Sequence, residues 1–206
     1  MTNLTKSKNT KKSMYEKQVQ HKVCYYNSKI GLENLGNTCY LNTSLQCLIH
    51  SKKFVIEFMR FYESPSYTPT ISYELYKILT EIVKLDNNNT YRPKQLLASF
   101  CQKHKKFKGF VQHDSQEFLR ILLEDISSDL NRVKRVPEYK ELKLKNKSKL
   151  QANTAFHNLF IEREDSIIID LFYGQVCNIF ACEMCNHKTY SFEKIMDIPI
   201  LLGKLY

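Results

Sequence analysis

Apolar residues recur at helical spacing along most of the chain between residues 39 and 130. Cys39–His50 carries leucine and isoleucine along one side, and the shorter segment Phe54–Phe61 shows the same pattern. Further apolar stripes occupy Leu75–Val83 and Pro93–Cys101, where the proline is well placed to open a helix. The spacing of three and four predicts a helix in each of these segments.

The clearest helical repeat begins at Asp114 and ends near Leu130. Apolar residues recur there at every fourth position: Phe118, Leu122, Ile126 and Leu130. Asp114 and Glu117 also have the spacing of a capping box, in which two side chains satisfy backbone N–H groups at the start of a helix. We therefore predict a helix from Asp114 to about Leu130.

The hydrophobic pattern changes in the last third of the chain. The β-branched and aromatic residues between Ile167 and Phe180 favour strands, and Met196–Leu202 has the composition of a buried strand. A chain seldom ends on an unfinished apolar strand, so we expect more sequence to follow Tyr206. A helical first part and a β-rich second part together predict an α+β fold.

Positive charge is concentrated in two segments. The formal net charge is +10, and residues 1–29 and residues 132–149 each contribute +6. Neither segment has the interleaved aromatic side chains of a nucleic-acid platform. We therefore interpret 1–29 as a basic flexible extension and 132–149 as a basic insert. A nucleic-acid-binding function is the interpretation that the sequence favours least.

The composition is that of a globular protein, with 43% hydrophobic and 25% charged residues. No apolar run approaches the roughly 20 residues of a membrane span, and no secretory signal is visible, so we expect no membrane partner and a cytoplasmic or nuclear location. Seven cysteines in such a compartment are not expected to form disulfides. Cys47 and Cys101 are interpreted as core thiols.

The segment Gly31–Gln46, GLENLGNTCYLNTSLQ, is the strongest candidate for chemistry. A polar loop with two glycines delivers Cys39 to the first turn of a helix, where negative charge and hence a thiolate is favoured. Asn34, five residues earlier, can direct its side-chain amide towards an oxyanion. On composition alone, a capped helix with a small buried thiol is an equal alternative.

This segment resembles the cysteine box of the ubiquitin-specific proteases nearly residue by residue, with Thr43 where that family commonly has serine. The resemblance implies that Cys39 is the nucleophile, that Asn34 is an oxyanion-hole donor and that Gln46 belongs to the supporting helix. It also implies a papain-like cysteine protease fold, with residues 30–206 forming a helical thumb and the start of a β fingers region. The C-terminal part of such a domain is then expected to be missing.

A second segment, FVQHDSQEFL at residues 110–119, is similar to a glutamine- and aspartate-containing box of the same family. In that family this region lines the channel for the C-terminal tail of ubiquitin, which carries arginines. The resemblance makes Gln112, Asp114 and Glu117 candidate contacts for the tail, and carboxylates pair well with guanidinium groups. Simple helix capping is the alternative for both acidic residues, and His113 is not expected to be a catalytic base.

A third segment, from Asp170 to Glu193, resembles the strand that leads into the family's fingers, where two Cys-x-x-Cys pairs bind zinc. Cys182 and Cys185 form one such pair, and structural zinc needs four ligands. Cys177 and His187 complete a set of four in number only, because His187 lies two residues from Cys185. We expect half of a zinc site, and no cofactor for catalysis.

The catalytic base is the main departure from the family pattern. In the family, a histidine that follows glycine and precedes tyrosine activates the thiol, and no glycine of this chain is followed by histidine. We therefore expect a thiol-dependent deubiquitinase, which cleaves the bond after the C-terminal glycine of ubiquitin, present as an incomplete and inactive catalytic domain. The alternative is a catalytically inactive ubiquitin-binding or regulatory remnant.

Overall fold

The computed structural model of the protein describes residues 30–62, 70–84, 90–138, 140–142 and 147–200. The predicted extension 1–29 lies outside these residues. The chain divides into two compact units, Met1–Asp129 and Leu130–Tyr206. Helices and strands both occur, and the predicted α+β class is confirmed.

The first unit is helical, and every helix predicted for it is present. Two short parallel strands also occur, with Gly31 opposite Thr90 and Leu32 opposite Tyr91, and neither was predicted. A 3-10 turn at Lys105–Phe107 follows the fourth helix. The elements are β1 Gly31–Leu32, α1 Cys39–His50, α2 Lys52–Phe61, α3 Ile71–Lys84, β2 Thr90–Tyr91, α4 Lys94–Lys103 and α5 Ser115–Asp129.

The core of the first unit consists of the apolar faces of these helices. The side chains that set the predicted periodicity are buried, since one face of each helix packs against its neighbours: Leu41, Leu45, Leu48, Ile49, Phe118, Leu122 and Ile126. Aromatic rings fill the space between α1, α4 and α5. Phe118 lies 4.5 Å from Phe100 and 5.2 Å from Tyr40 between ring centroids.

The second unit contains two helices and a hairpin. Helix α6 Lys149–Ile161, which was not predicted, begins at the last residue of the basic insert. Ser148 and Gln151 form a reciprocal capping box at its start. The remaining elements are α7 Ile167–Phe172, β3 Gly174–Ala181 and β4 Lys188–Ile195.

The strand prediction for Ile167–Phe172 is wrong, because this segment is helix α7. The Ser166 hydroxyl accepts a hydrogen bond from the backbone N–H of Ile169 at 3.3 Å and so caps the helix. All three isoleucines are buried on this single short turn of chain. Tertiary burial therefore overrides the β propensity of branched residues.

The strand prediction is confirmed from Gly174 onward, where β3 pairs with β4 in an antiparallel register from Gly174–Ile195 to Ala181–Lys188. The prediction of a buried strand at Met196–Leu202 is wrong for the residues described. Residues 196–200 form no strand, and Ile198 and Ile200 are 72% and 82% exposed. Residues 201 and 202 lie outside the described chain.

Polar contacts hold the second unit together beside its small apolar core. The Arg132 guanidinium donates to Asp165 at 2.5 Å and to Asp170 at 2.8 Å. The Lys194 ammonium lies 3.3 Å from the centroid of the Phe160 ring and 3.1 Å from a Glu164 carboxylate oxygen. These contacts join the loop after residue 130, both helices and β4.

Candidate functional site

The loop before α1 is organised by the side chain of Asn34. Its Oδ1 atom accepts hydrogen bonds from the backbone N–H of Gly36 at 3.0 Å and from the N–H and hydroxyl of Thr38, both at 3.1 Å. The Thr38 hydroxyl in turn accepts from the N–H of Leu35 at 2.9 Å. The loop is therefore a closed turn built around one amide oxygen.

Cys39 is the first residue of α1 and is exposed. Thr38 precedes it, but the Thr38 side chain makes no capping hydrogen bond to the helix because it is directed into the loop. Backbone N–H groups of the first helical turn thus have no side-chain cap next to an accessible thiol. The alternative of a small buried thiol at this position is wrong.

The predicted role of Asn34 depends on its nitrogen. Because Oδ1 is occupied as an acceptor, Nδ2 is the atom that can donate to an oxyanion, and the residue is exposed. Among the described residues, no hydrogen bond of Nδ2 is found. The oxyanion role of Asn34 stays a prediction.

Helix α1 is fastened to β1 by two amide side chains one helical turn apart. The Asn42 Nδ2 atom donates to the carbonyls of Leu32 and Glu33, each at 3.2 Å, and Gln46 Nε2 donates to the carbonyl of Ile30 at 2.9 Å. Gln46 lies on the helix that carries Cys39, and its side chain ties that helix to the residue before β1.

The segment 110–114 lies against the Cys39 loop. Asn37 Nδ2 donates to the carbonyl of Phe110 at 2.6 Å, although the two residues are 73 positions apart. Asn37 has a positive φ of 52° and Gly36 one of 101°. This contact was not predicted, because nothing in either segment alone indicates that the other is its neighbour.

The three predicted tail contacts are exposed on this same segment and at the start of α5. Asp114 caps the helix, since its Oδ1 atom accepts from the N–H of Gln116 at 2.7 Å and of Glu117 at 3.0 Å. The reciprocal half of the predicted capping box is replaced, because the Glu117 carboxylate lies 2.6 Å from the Lys106 ammonium. Gln112 precedes the cap and faces solvent.

Tyr40 and His113 pack behind the thiol loop. Burial raises the pKa of Tyr40 to about 12, and the nearby thiols of Cys101 and Cys39 raise it further. The His113 ring lies edge-on to Tyr40 at 5.1 Å and 4.6 Å from the Phe107 ring. The His113 Nε2 atom is buried and has no hydrogen-bond partner among the described residues.

Two further histidines of the first unit are engaged elsewhere. The His50 ring forms a hydrogen bond with the carbonyl of Gln46 at 2.7 Å, at the opposite end of α1 from Cys39. The His104 Nε2 atom lies 2.6 Å from the buried carboxylate of Asp125, which also pairs with Lys103. Neither arrangement presents an imidazole to the Cys39 loop.

The core assignment of Cys47 is wrong, because the Cys47 side chain is exposed on α1. The assignment of Cys101 holds in part. It is half-buried, its thiol donates to the carbonyl of Phe107 at 3.2 Å, and burial raises the pKa of Cys101.

Cys182 and Cys185 lie in the turn between β3 and β4. The turn is closed by hydrogen bonds from Cys182 N–H to the His187 carbonyl and from Asn186 N–H to the Cys182 carbonyl. Backbone N–H groups of Cys185 and Met184 donate to the Cys182 sulfur and lower the pKa of Cys182. Among the described residues, no group of three or more metal-ligating side chains occurs. Both thiols are exposed in this turn, and their role as two of the four ligands of a zinc site stays a prediction.

Residues 30–201 match the sequence model of the ubiquitin carboxyl-terminal hydrolase family. The chain belongs to this family. Ubiquitin carboxyl-terminal hydrolase 5 of Arabidopsis thaliana is 30% identical over 178 residues, which are 84% of this chain and 19% of that protein. Ubiquitin carboxyl-terminal hydrolase 2 of Homo sapiens is 30% identical over 181 residues, 84% of this chain and 30% of that protein. The chain thus spans about a fifth to three-tenths of the length of these two relatives.

The fold of this hydrolase-family chain also matches a solved structure. That structure is a SAGA DUB module containing Ubp8, Sgf11, Sus1 and Sgf73 bound to monoubiquitin. The match has a TM-score of 0.56 at 20% identity and covers 81% of this chain and 34% of that one. It shows the fold. Among the described helices, none is long and apolar enough to cross a bilayer.

Proposed function

We propose that this chain carries the nucleophile of a thiol-dependent deubiquitinase. The observation that supports the proposal most strongly is the exposed Cys39 thiol at the first residue of α1, beside N–H groups that no side chain caps. The thiolate attacks the carbonyl carbon of the terminal glycine of ubiquitin, the C–N bond to the amine breaks, and the amine leaves with a proton while a thioester to Cys39 remains. Water then attacks the thioester, which releases the ubiquitin carboxylate and restores the thiol.

In this proposal, Asn34 and the helix N-terminus stabilise the oxyanion of each tetrahedral intermediate. Oδ1 of Asn34 is anchored by three hydrogen bonds, so the amide is held in one orientation before the reaction begins. A donor that needs no reorientation stabilises developing charge more than a mobile one does.

Asp114 is the strongest of the three candidates for contact with a basic substrate tail. It is exposed, and capping of α5 occupies its Oδ1 atom, so Oδ2 remains for a guanidinium partner. Glu117 would first have to release Lys106. Gln112 contributes an exposed amide that can bond to the backbone of an extended peptide.

We also propose that the 206-residue chain by itself turns over substrate negligibly. Thiolate formation and protonation of the leaving amine both require a base near the thiol. In the described part of the first unit, His50 and His104 have other partners and the Nε2 atom of His113 is buried. These contacts support the expectation, drawn from the sequence, that the base is lacking.

Two measurements on the same protein test the proposal. Hydrolysis of a ubiquitin C-terminal amide by the chain should not exceed that of Cys39→Ala. Ubiquitin carrying a C-terminal electrophile should nonetheless form a covalent adduct with Cys39. The adduct should be lost in Cys39→Ala, retained in Cys47→Ala and formed about tenfold more slowly in Asp114→Ala, which loses a charge-assisted contact.

The Cys47 variant is the matched control, because this second thiol is also exposed on α1. An adduct on Cys47 would refute the assignment of the nucleophile. Ubiquitin binding without any adduct would favour the inactive remnant. Robust turnover that depends on Cys39 would refute the proposed lack of a base.

We propose in addition that Cys182 and Cys185 supply two of the four ligands of a structural zinc ion. The N–H groups that face the Cys182 sulfur favour its thiolate form, which is the form that binds zinc. Such an ion would fix the turn between β3 and β4 and would take no part in the reaction. Zinc retained by the chain and lost in Cys182→Ser would support the proposal, and equal zinc content in both would contradict it.

A further inference from the structure

Two loops of the first unit lie in close contact. One loop, residues 34–38, leads directly into Cys39, and the other, residues 110–114, contains Gln112 and Asp114. The Nδ2 atom of Asn37 donates to the carbonyl of Phe110 at 2.6 Å. Asn37 has a φ of 52°, a left-handed conformation that asparagine tolerates better than most residues.

The same two loops are also fitted to each other sterically. Gly36 has a φ of 101°, and a Cβ atom added to it would lie 2.7 Å from Cδ1 of the Phe110 ring. The ring therefore occupies the space that a side chain at residue 36 would need. Yet the Phe110 side chain is 75% exposed, so burial in the core does not account for its position.

We propose that Asn37, together with Gly36 and Phe110, is a positioning clamp that fixes the Cys39 loop to the 110–114 segment. The inference rests on the proposed function and adds a residue to it. Asn37 lies two residues before the thiol, and Phe110 lies two residues before Gln112 and four before Asp114. Displacement of the 110–114 segment by a bound tail moves the Phe110 carbonyl and, through Asn37, the thiol loop.

Chymotrypsin provides a test of the clamp that requires no ubiquitin. Cleavage after Phe110 needs the Phe110 carbonyl in the oxyanion hole of the protease, so that carbonyl must first leave Asn37. When opening is fast relative to cleavage, the cleavage rate follows the population of the open form. Loss of the hydrogen bond should raise the rate of cleavage after Phe110 by about fivefold, the factor expected for a hydrogen bond with a net contribution of ~1 kcal/mol. The new N-terminus at Val111 measures this rate.

Two variants isolate the hydrogen bond from other effects of substitution. Asn37→Asp keeps the size and the tolerance of a positive φ but removes the donor, and Asn37→Gly removes the donor without adding charge. Cleavage after the exposed Phe180 in the same molecule is the internal reference. Asn158→Asp, on the exposed surface of α6, makes the same chemical change elsewhere. A rate after Phe110 that is unchanged in both Asn37 variants would overturn the proposal.

A second readout separates positioning from a purely structural role. In Asn37→Gly, alkylation of Cys39 by iodoacetamide should stay within about twofold of the unchanged protein, because a small electrophile needs only access. Reaction with the ubiquitin electrophile should slow by about tenfold, since it requires alignment of the thiol with the electrophilic carbon of a bound ubiquitin. Equal slowing of both reactions would mean that Asn37 serves only the local structure.

The two proposals fail in different ways. If the unchanged protein forms no adduct with the ubiquitin electrophile, the proposed function is refuted for this chain. The chymotrypsin measurement still decides whether the two loops are clamped. If the adduct forms and both Asn37 variants behave as the unchanged protein in both assays, the clamp is refuted and the proposed function stands.

Discussion

The two units of this hydrolase-family chain bury their apolar residues in different ways. In the first unit, each helix contributes one apolar face to a common core, and aromatic rings fill the space between α1, α4 and α5. In the second unit, β3 and β4 form a ribbon of two strands whose apolar side chains are largely solvated. Phe180 is 61% exposed and Met184 is 95% exposed.

The difference follows from geometry. A two-stranded ribbon has two faces and two edges, and it cannot bury them without a further layer. The apolar residues that the second unit does bury are few among its described residues: Ala152, Ile167, Ile168, Ile169 and Phe192. Polar contacts around Arg132 and Lys194 therefore carry more of its stability. The exposed thiol lies on the unit whose helices share a buried apolar core, which is where precise positioning is feasible.

Removal of the ring at the centre of the first core should have the largest effect. Phe118 is fully buried and contacts the rings of Phe100, Tyr40 and Phe107. Phe118→Ala should lower the free energy of unfolding by about 3–5 kcal/mol, because a cavity forms where the ring was. Urea unfolding followed by circular dichroism measures the loss.

The control for this prediction is Phe180→Ala on the exposed ribbon, which should change stability by less than about 0.5 kcal/mol. Amide hydrogen exchange, read peptide by peptide, reports the two units separately. The Phe118 substitution should accelerate exchange in α1, α4 and α5. Equal acceleration in β3 and β4 would show that the two units unfold as one and would remove the contrast between them.

Alkaline pH should destabilise the first unit through Tyr40. The pKa of this phenol is raised from 10.0 to about 12 in the folded protein, so the folded state holds the proton more tightly than the unfolded state does. Protonated Tyr40 contributes on the order of 2 kcal/mol to the free energy of unfolding. This contribution is intact below about pH 10 and is lost between about pH 10 and pH 12. The measurement is urea unfolding of the protein and of Tyr40→Phe at pH 9 to 12.

The Tyr40→Phe variant should lose less stability over that range than the unchanged protein. Tyr190→Phe, on the half-exposed surface of β4, serves as the control and should retain the full pH dependence of the parent. Parallel curves for the parent and Tyr40→Phe would contradict the prediction.

The smallest effect should come from the guanidinium contacts of the second unit. Arg132 bridges two carboxylates, and lysine cannot reproduce that forked geometry. Because these groups are partly exposed, Arg132→Lys should cost only about 1 kcal/mol, seen as faster exchange in α7. Arg120→Lys, in an exposed pair on α5, should lower the free energy of unfolding by at most a few tenths of a kcal/mol. Equal costs at both positions would show that polar contacts matter no more in the second unit than in the first.

Periodicity predicted the first unit well because its helices each bury one face. The repeat from Phe118 to Ile126 requires a helix for all its members to reach one core, and α5 begins at Ser115 with Asp114 as its cap. The position of Cys39 was also predictable from local sequence. A polar loop that runs into an amphipathic helix places Cys39 at the helix start without help from distant residues.

The second unit shows where a local pattern misleads. Three consecutive isoleucines satisfy a strand as well as a buried helix, and the Ser166 cap together with burial of all three isoleucines selects the helix α7. Cys47 was predicted to lie in the core, yet it is exposed on α1. The side of a helix that is buried depends on which other elements pack against it, and local sequence does not specify them.

Local sequence is sufficient to predict the helices of the first unit, the cysteine at the start of α1 and the pair of cysteines in the hairpin turn, because each depends on residues within a few positions. Three features depend instead on tertiary packing: the hydrogen bond from Asn37 to Phe110, the pair of Glu117 with Lys106 and the burial of the His113 Nε2 atom. A hydrogen bond between residues 73 positions apart has no local signature. It forms because the packing of α1 against α5 brings two loops within 3 Å of each other, and their backbone conformations then fit that distance.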